Sequence, residues 1–150
     1  MKLLELVDKY LENPYDIHLS VHKGYHHPSS SSCKIKNEYG EETIVGLKKT
    51  PEFGHAIMFG KGGSKVEEEK DVAFRILPAS SKEIDEMIKD TQFHKILEER
   101  QVNMKILKRV IKQVVNLAKK YPKIIELDLN PLFVTSKEAK IADARIITEE

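Results

Sequence analysis

The segment Glu126-Leu127-Asp128-Leu129-Asn130-Pro131-Leu132 carries the most chemistry in this sequence. Side chains alternate faces along a strand. As a strand, it sets Glu126, Asp128 and Asn130 on one face, and Leu127 and Leu129 on the other, toward a core. Three oxygen-bearing side chains on one face suit a hard cation. Magnesium takes oxygen ligands, usually only one or two of them protein carboxylates. A fourth group joins if Ser136-Lys137 is a two-residue hairpin loop. Thr135 then faces Glu138, Asn130 falls opposite Asp143, and Asp128 opposite Arg145. A slip of one residue would move Asp143 to the other side, and Ser-Lys is a poor type I′ turn. The same residues fit a plainer reading. Polar residues alternating with leucines mark any half-exposed strand. Asp128 and Arg145 would serve equally as a surface ion pair of little energetic weight, and Asn130-Pro131 as a strand terminus.

Phe59-Gly60-Lys61-Gly62-Gly63 is the second candidate. Three glycines in four residues let the backbone approach a phosphate with its N–H groups as donors, and Lys61 could add a cation. The run is neither a Walker A motif nor a dinucleotide fingerprint, and a plain turn is the alternative. In Glu67-Glu68-Glu69-Lys70-Asp71 only Glu67, close behind the glycines, has a positional claim; the rest reads as exposed charge. His18, His22 and His26 recur at i, i+4 and i+8, with His27 adjacent. On a helix they could hold zinc or nickel. Gly24 and Pro28 argue against a helix there, and no carboxylate completes the set, so a solvated loop is the simpler reading. Cys33 is the only cysteine, which excludes an intramolecular disulfide, and nothing marks it as a nucleophile.

These residues need elements to position them. Leu3, Leu4, Val7, Tyr10 and Leu11 predict a short amphipathic helix over residues 2–12, stopped at Asn13-Pro14. Residues 13–40 read as mostly loop, with room for one strand at Asp16–Val21. Thr43–Leu47 and His55–Phe59, separated by Pro51-Glu52-Phe53-Gly54, predict an antiparallel hairpin. Val72–Leu77 is a third strand candidate, closed by Pro78. Ser80 and Glu83 have capping-box spacing, so a helix starts there, with Ile84, Met87 and Ile88 as its apolar stripe. A longer helix runs from about Asn103 to Lys120. Three strands follow: Ile124–Leu129, Leu132–Thr135 and Lys140–Ile147. The expected architecture is α+β, a mostly antiparallel sheet with helices packed on one face. Residues 1–39 form a short N-terminal helix and irregular segment, and residues 40–150 the sheet-bearing unit.

Composition narrows the function classes. One hundred and fifty residues suffice for one domain with a real core. Lys+Arg 25 against Asp+Glu 24 leaves a formal charge of +1, which excludes a nucleic-acid clamp driven by net charge. No window approaches the roughly 18 apolar residues of a membrane span. The N-terminus mixes acids among its apolar residues, unlike a signal peptide. A cytoplasmic setting is expected.

Taken together, several motifs resemble one family. They are Gly40-Glu41-Glu42-Thr43-Ile44-Val45-Gly46, Pro51 through Gly63, Lys70 through Pro78, Glu126 through Leu132, and Ala142-Asp143-Ala144-Arg145-Ile146. In order and rough spacing they are similar to the C-terminal ATP-grasp subdomain of ADP-forming (NDP-forming) acyl-CoA synthetases, relatives of succinyl-CoA synthetase. The likeness covers about residues 40–147. It implies that this unit holds Mg2+ and the phosphates of ATP or ADP. Asn130 and Asp143 match the family's metal-binding positions, and Asp128 sits where relatives carry Glu or Asp. Glu42 and Glu67 match acidic positions flanking the site, and Gly62 and Gly63 match a loop of the family pattern. In that family ATP phosphorylates a histidine, through which phosphate reaches acyl-CoA chemistry. The departures are His55, Lys61, Glu68 and Glu69, and the lack of any match to the other ATP-grasp subdomain or to the CoA-ligase part. The resemblance therefore implies an ATP-grasp piece that needs a partner subunit for ligase activity. The alternative is a non-catalytic module of the same descent that binds metal, nucleotide or protein. A homo-oligomer is compatible with either.

Overall fold

The computed structural model describes residues 17–20, 40–63 and 70–149. The expected helix over 2–12, the histidines at 22, 26 and 27, Cys33 and Glu67 lie outside the described residues. Among the described residues the chain order is β1 (Ile17–Ser20), β2 (Glu41–Thr50), β3 (Gly54–Lys61), β4 (Val72–Ile76), α1 (Ser81–Asp90), α2 (Phe93–Glu99), α3 (Met104–Lys120), β5 (Ile124–Val134), β6 (Ala139–Ile141) and β7 (Asp143–Thr148). All pairings are antiparallel, in the order β1-β7-β5-β2-β3-β4, with β6 on β5. The strand expected at Asp16–Val21 is β1, and it pairs with β7. No helix among the described residues is long and apolar enough to cross a membrane.

Local chemistry explains most boundaries. Ser80 accepts from the Glu83 N–H at 3.2 Å, and Glu83 Oε2 accepts from the Ser80 N–H at 2.6 Å, which completes the expected capping box of α1. Asn103 caps α3 through the Ile106 N–H, and its own N–H donates to the Thr135 carbonyl at 2.9 Å. That second bond fixes the start of α3 to the end of β5. The helix α2, which the apolar pattern does not reveal, starts without a cap of its own. Asp71, more than twenty residues upstream, supplies it by accepting from the Gln92 and Phe93 N–H groups at 2.9 and 2.8 Å.

The main core cluster lies on one side of the sheet. Val45, Leu47, Ile57, Phe59, Leu127, Leu129, Ala144 and Ile146 are buried there against Ile84, Met87 and Ile88 of α1, Leu97 of α2, and Leu107, Ile111, Val114 and Leu117 of α3. Helical residues at i, i+3 and i+4 supply one apolar stripe per helix. The other, outer face is read off the register. Arg145, Asp128, Gly46, Met58 and Phe74 form one cross-strand row. Ile147, Glu126, Lys48, Ala56 and Ile76 form the next. Charge is thus gathered over β5 and β7, and apolar side chains over β3 and β4.

β4 is an edge strand, and it is guarded. Arg75 donates to the Phe74 carbonyl at 2.8 Å and to Asp90 at 2.6 Å, which covers part of the unpaired backbone edge with charge.

Candidate functional site

The hairpin that sets the site runs through Ser136-Lys137. The Thr135 N–H donates to the Glu138 carbonyl at 2.9 Å, and the Thr135 hydroxyl accepts from the Lys137 and Glu138 N–H groups at 3.1 Å each. A threonine hydroxyl thus closes a loop whose own residues are poor turn formers. The resulting register places Leu132 opposite Ile141, Leu129 opposite Ala144, and Asp128 opposite Arg145. That is the pairing expected from a two-residue loop, and the same count sets Asn130 opposite Asp143.

β5 is one strand rather than two, and a bulge lies inside it. Against β2, Leu129 pairs with Val45 and Leu132 with Thr43, so Asn130 and Pro131 together oppose the single Ile44. The Asn130–Pro131 peptide is cis. Core-facing residues run 127 and 129 before the bulge, then 132 and 134 after it. Simple alternation through Pro131 would have turned Leu132 and Val134 outward. The buried Thr43 hydroxyl donates to the Leu132 carbonyl at 2.8 Å, bracing the strand just past the bulge. A bulge re-aims side chains, and here it turns Leu132 and Val134 to the core while Asn130 stays at the bulge itself.

Asn130 Oδ1 accepts from the Gly63 N–H at 2.9 Å. Gly62 lies next to β2, its N–H donating to the Glu42 carbonyl at 2.9 Å. The Glu42 side chain reaches the same place, since a Cβ built on Gly63 would stand 2.6 Å from its Oε2. The start of β2, the end of β3 and the bulge inside β5 therefore bring Glu42, Gly62, Gly63 and Asn130 together. Asp128 and Asp143 form the acidic part. Asp128 Oδ1 is buried and accepts no hydrogen bond, and the Oδ1 atom of Asp143 is buried too. Burial first, then the carboxylates of Glu126 and Asp143, push Asp128 from the ordinary 3.8 up to about 6, with Arg145 pulling the other way. Asp143 lies two residues from Arg145, the cross-strand partner of Asp128.

An oxygen-only donor set with a buried, unsatisfied carboxylate oxygen fits a hard divalent ion. The described residues contain no cluster of three His, Cys, Asp or Glu side chains that could hold a metal unaided. Any ion here would draw on the Asn130 amide as well, and on oxygens from water or a bound phosphate. Beside Asp128 a groove of about 270 Å³ crosses the outer face, lined in part by Gly46, Ala56, Met58 and Phe74. Gly46 opens it: a Cβ at that position would meet the Met58 methyl at 3.0 Å. In the sequence Gly46 is a glycine inside a β-rich run, the mark of a close approach to the strand.

Residues 21–148 match the family described as ATP-grasp domain. The chain is 42% identical over 112 residues to the beta subunit of acetate–CoA ligase (ADP-forming) I of Pyrococcus furiosus, covering 72% of this chain and 48% of that one. It spans about half the length of the curated beta subunit that it matches. Among solved structures, the dinucleotide forming acetyl-coenzyme A synthetase 1 of Ca. Korarchaeum cryptofilum, in complex with coenzyme A, Ca-AMPCP and HgCl+, aligns with TM-score 0.69 at 36% identity, over 73% of this chain and 50% of that one. The same synthetase with coenzyme A and Mg-AMPPCP, its phosphohistidine segment pointing towards the nucleotide binding site, aligns with TM-score 0.71 at 27% identity, over 99% of this chain and 83% of that one.

Proposed function

We propose, from the premise that this chain belongs to the ATP-grasp domain family, that it holds the metal-bound phosphates of ATP or ADP on the outer face of its sheet, as one part of an ADP-forming acyl-CoA synthetase. The observation that carries this reading is the buried, unsatisfied Asp128 Oδ1 beside Asp143 and the bulged Asn130. Asn130 and Asp143 would hold Mg2+, with Asp128 adjoining. A bound Mg2+ supplies neutralisation of charge on the β and γ oxygens during phosphoryl transfer. The chain's own contribution is orientation. The bulge places Asn130 at the site, Gly62 and Gly63 bring the end of β3 across to its amide, and Glu42 closes the near side. Glu67 belongs to the proposed site by its place behind the glycines in sequence.

The chain spans about half of its curated relative, which is itself a subunit. We therefore assign ligase activity to an assembly with a further nucleotide-holding or CoA-ligase polypeptide. Positioning supplies most of the rate in phosphoryl transfer, and one wall of a nucleotide site positions poorly. A non-catalytic binding module is the second reading, favoured by Phe74 and Ile76 standing 54% and 48% exposed on the same face. Isothermal titration of the full chain with Mg-ATP and Mg-ADP tests the first reading. Saturable heat is expected, and Asn130→Ala with Asp143→Ala should abolish it. No heat with either nucleotide contradicts the site. Acetyl-CoA made by the chain alone from acetate, ATP and CoA contradicts the need for a partner.

A further inference from the structure

The two amides that a glycine-rich phosphate cradle would offer are already engaged within the protein. The Gly62 N–H donates to the Glu42 carbonyl at 2.9 Å. The Gly63 N–H donates to Asn130 Oδ1, also at 2.9 Å, across 67 residues of sequence. We propose that Gly62-Gly63 acts as a clamp that positions the Asn130 side chain, so that the glycines influence bound metal through Asn130 and not by donating to phosphate themselves. This inference rests on the reading of Asn130 as a metal-holding residue.

Three physical points support the clamp. First, Asn130 sits in a bulge, where the strand ladder does not fix its direction. A side-chain tether must do so. Second, a backbone N–H is only a donor. It can face the oxygen of a carboxamide but not its NH2 group, so the bond decides which end of the Asn130 amide points which way. An amide oxygen has two lone pairs, and one stays available for a cation. Third, each glycine is needed for a different reason. A Cβ on Gly62 would stand 2.4 Å from the Thr43 carbonyl oxygen and 2.5 Å from its carbon, so Gly62→Ala must displace backbone. Gly63 has φ +104°, a conformation that L side chains rarely adopt, and a Cβ there would also push the Glu42 carboxylate.

The test combines NMR with metal binding on the full chain labelled with 15N and 13C. The scalar coupling across the hydrogen bond, between Gly63 15N and Asn130 13Cγ, reads the clamp without any ligand. Mn2+ titration in the presence of ATP reads the consequence. We expect the coupling in the wild type. Gly62→Ala and Gly63→Ala should each lose it and weaken Mn2+ uptake by about 10- to 100-fold, the usual range for a group that orients a metal-holding side chain. Gly54→Ala is the control, since Gly54 also has positive φ, at +74°, but lies in open space at the β2–β3 turn. It should lose stability yet keep both the coupling and Mn2+ affinity. Should one glycine variant fail to fold, the other carries the comparison. Absence of the coupling in the folded wild type overturns the clamp, as does wild-type Mn2+ affinity in both folded glycine variants. A wild type that shows the coupling but takes up no Mn2+ overturns the metal reading instead and reduces the clamp to a structural tie.

Discussion

Asp128 is the residue at which structure and chemistry conflict most. Its folded-state pKa of about 6 exceeds the ordinary 3.8 because of burial and then neighbouring acids. The folded chain therefore binds this proton more tightly than the unfolded chain. Between about pH 4 and pH 6 the stability it contributes falls as pH rises, and above that window the cost of an ionised Asp128 is fully present. In EDTA, Asp128→Asn should stabilise the metal-free chain by about 1–2 kcal/mol at pH 7.5, after discounting for partial exposure, and leave it nearly unchanged at pH 4. Urea denaturation at both pH values measures this. An equal effect at the two values would mean that Asp128 carries no such strain. Glu83 has the opposite sign. Its hydrogen bonds with the Ser80 backbone and side chain hold its carboxyl below the usual range, so acid should loosen the start of α1.

Among the elements, α2 depends on a residue far from it in sequence. Asp71→Ala removes the acceptor for the Gln92 and Phe93 N–H groups. The expected cost is about 1–2 kcal/mol by chemical denaturation, with faster amide exchange at those two positions. Unchanged exchange would show that α2 caps itself by another route. This long-range cap also explains why α2 was illegible in the sequence: seven residues, with no capping residue of their own. The α1 and α3 boundaries were legible because Ser80, Glu83 and Asn103 are local signals. The β5–β7 register was legible because Ser136-Lys137 fixed the count, although the closing interaction comes from the Thr135 hydroxyl. The bulge was not. Asn130-Pro131 reads equally as a strand end, and only pairing with β2 on the far side shows β5 running through it. The grouping of Asn130 with Gly63 was likewise hidden, because each motif was informative alone but their bond depends on the tertiary fold.

Among the described residues, one face of the sheet packs against the three helices, and the other leaves Phe74 and Ile76 exposed. Leu107 of α3 is fully buried, whereas Phe74 on the outer face is 54% exposed. Leu107→Ala should cost about 2–5 kcal/mol, and Phe74→Ala less than about 1 kcal/mol. Similar costs would mean that the outer apolar patch is part of the core. The outer face, charged over β5 and β7 and apolar over β3 and β4, is where the proposed site is placed. The most direct measurement of that placement is paramagnetic broadening by Mn2+ in the 15N spectrum of the full chain with ATP present. Strong broadening is expected at residues 62–63, 128–130, 132 and 142–145, with weaker broadening along α3, and it should be lost in Asp143→Asn. Broadening that spares residues 128–130, 132 and 142–145, or that persists unchanged in Asp143→Asn, would contradict the account.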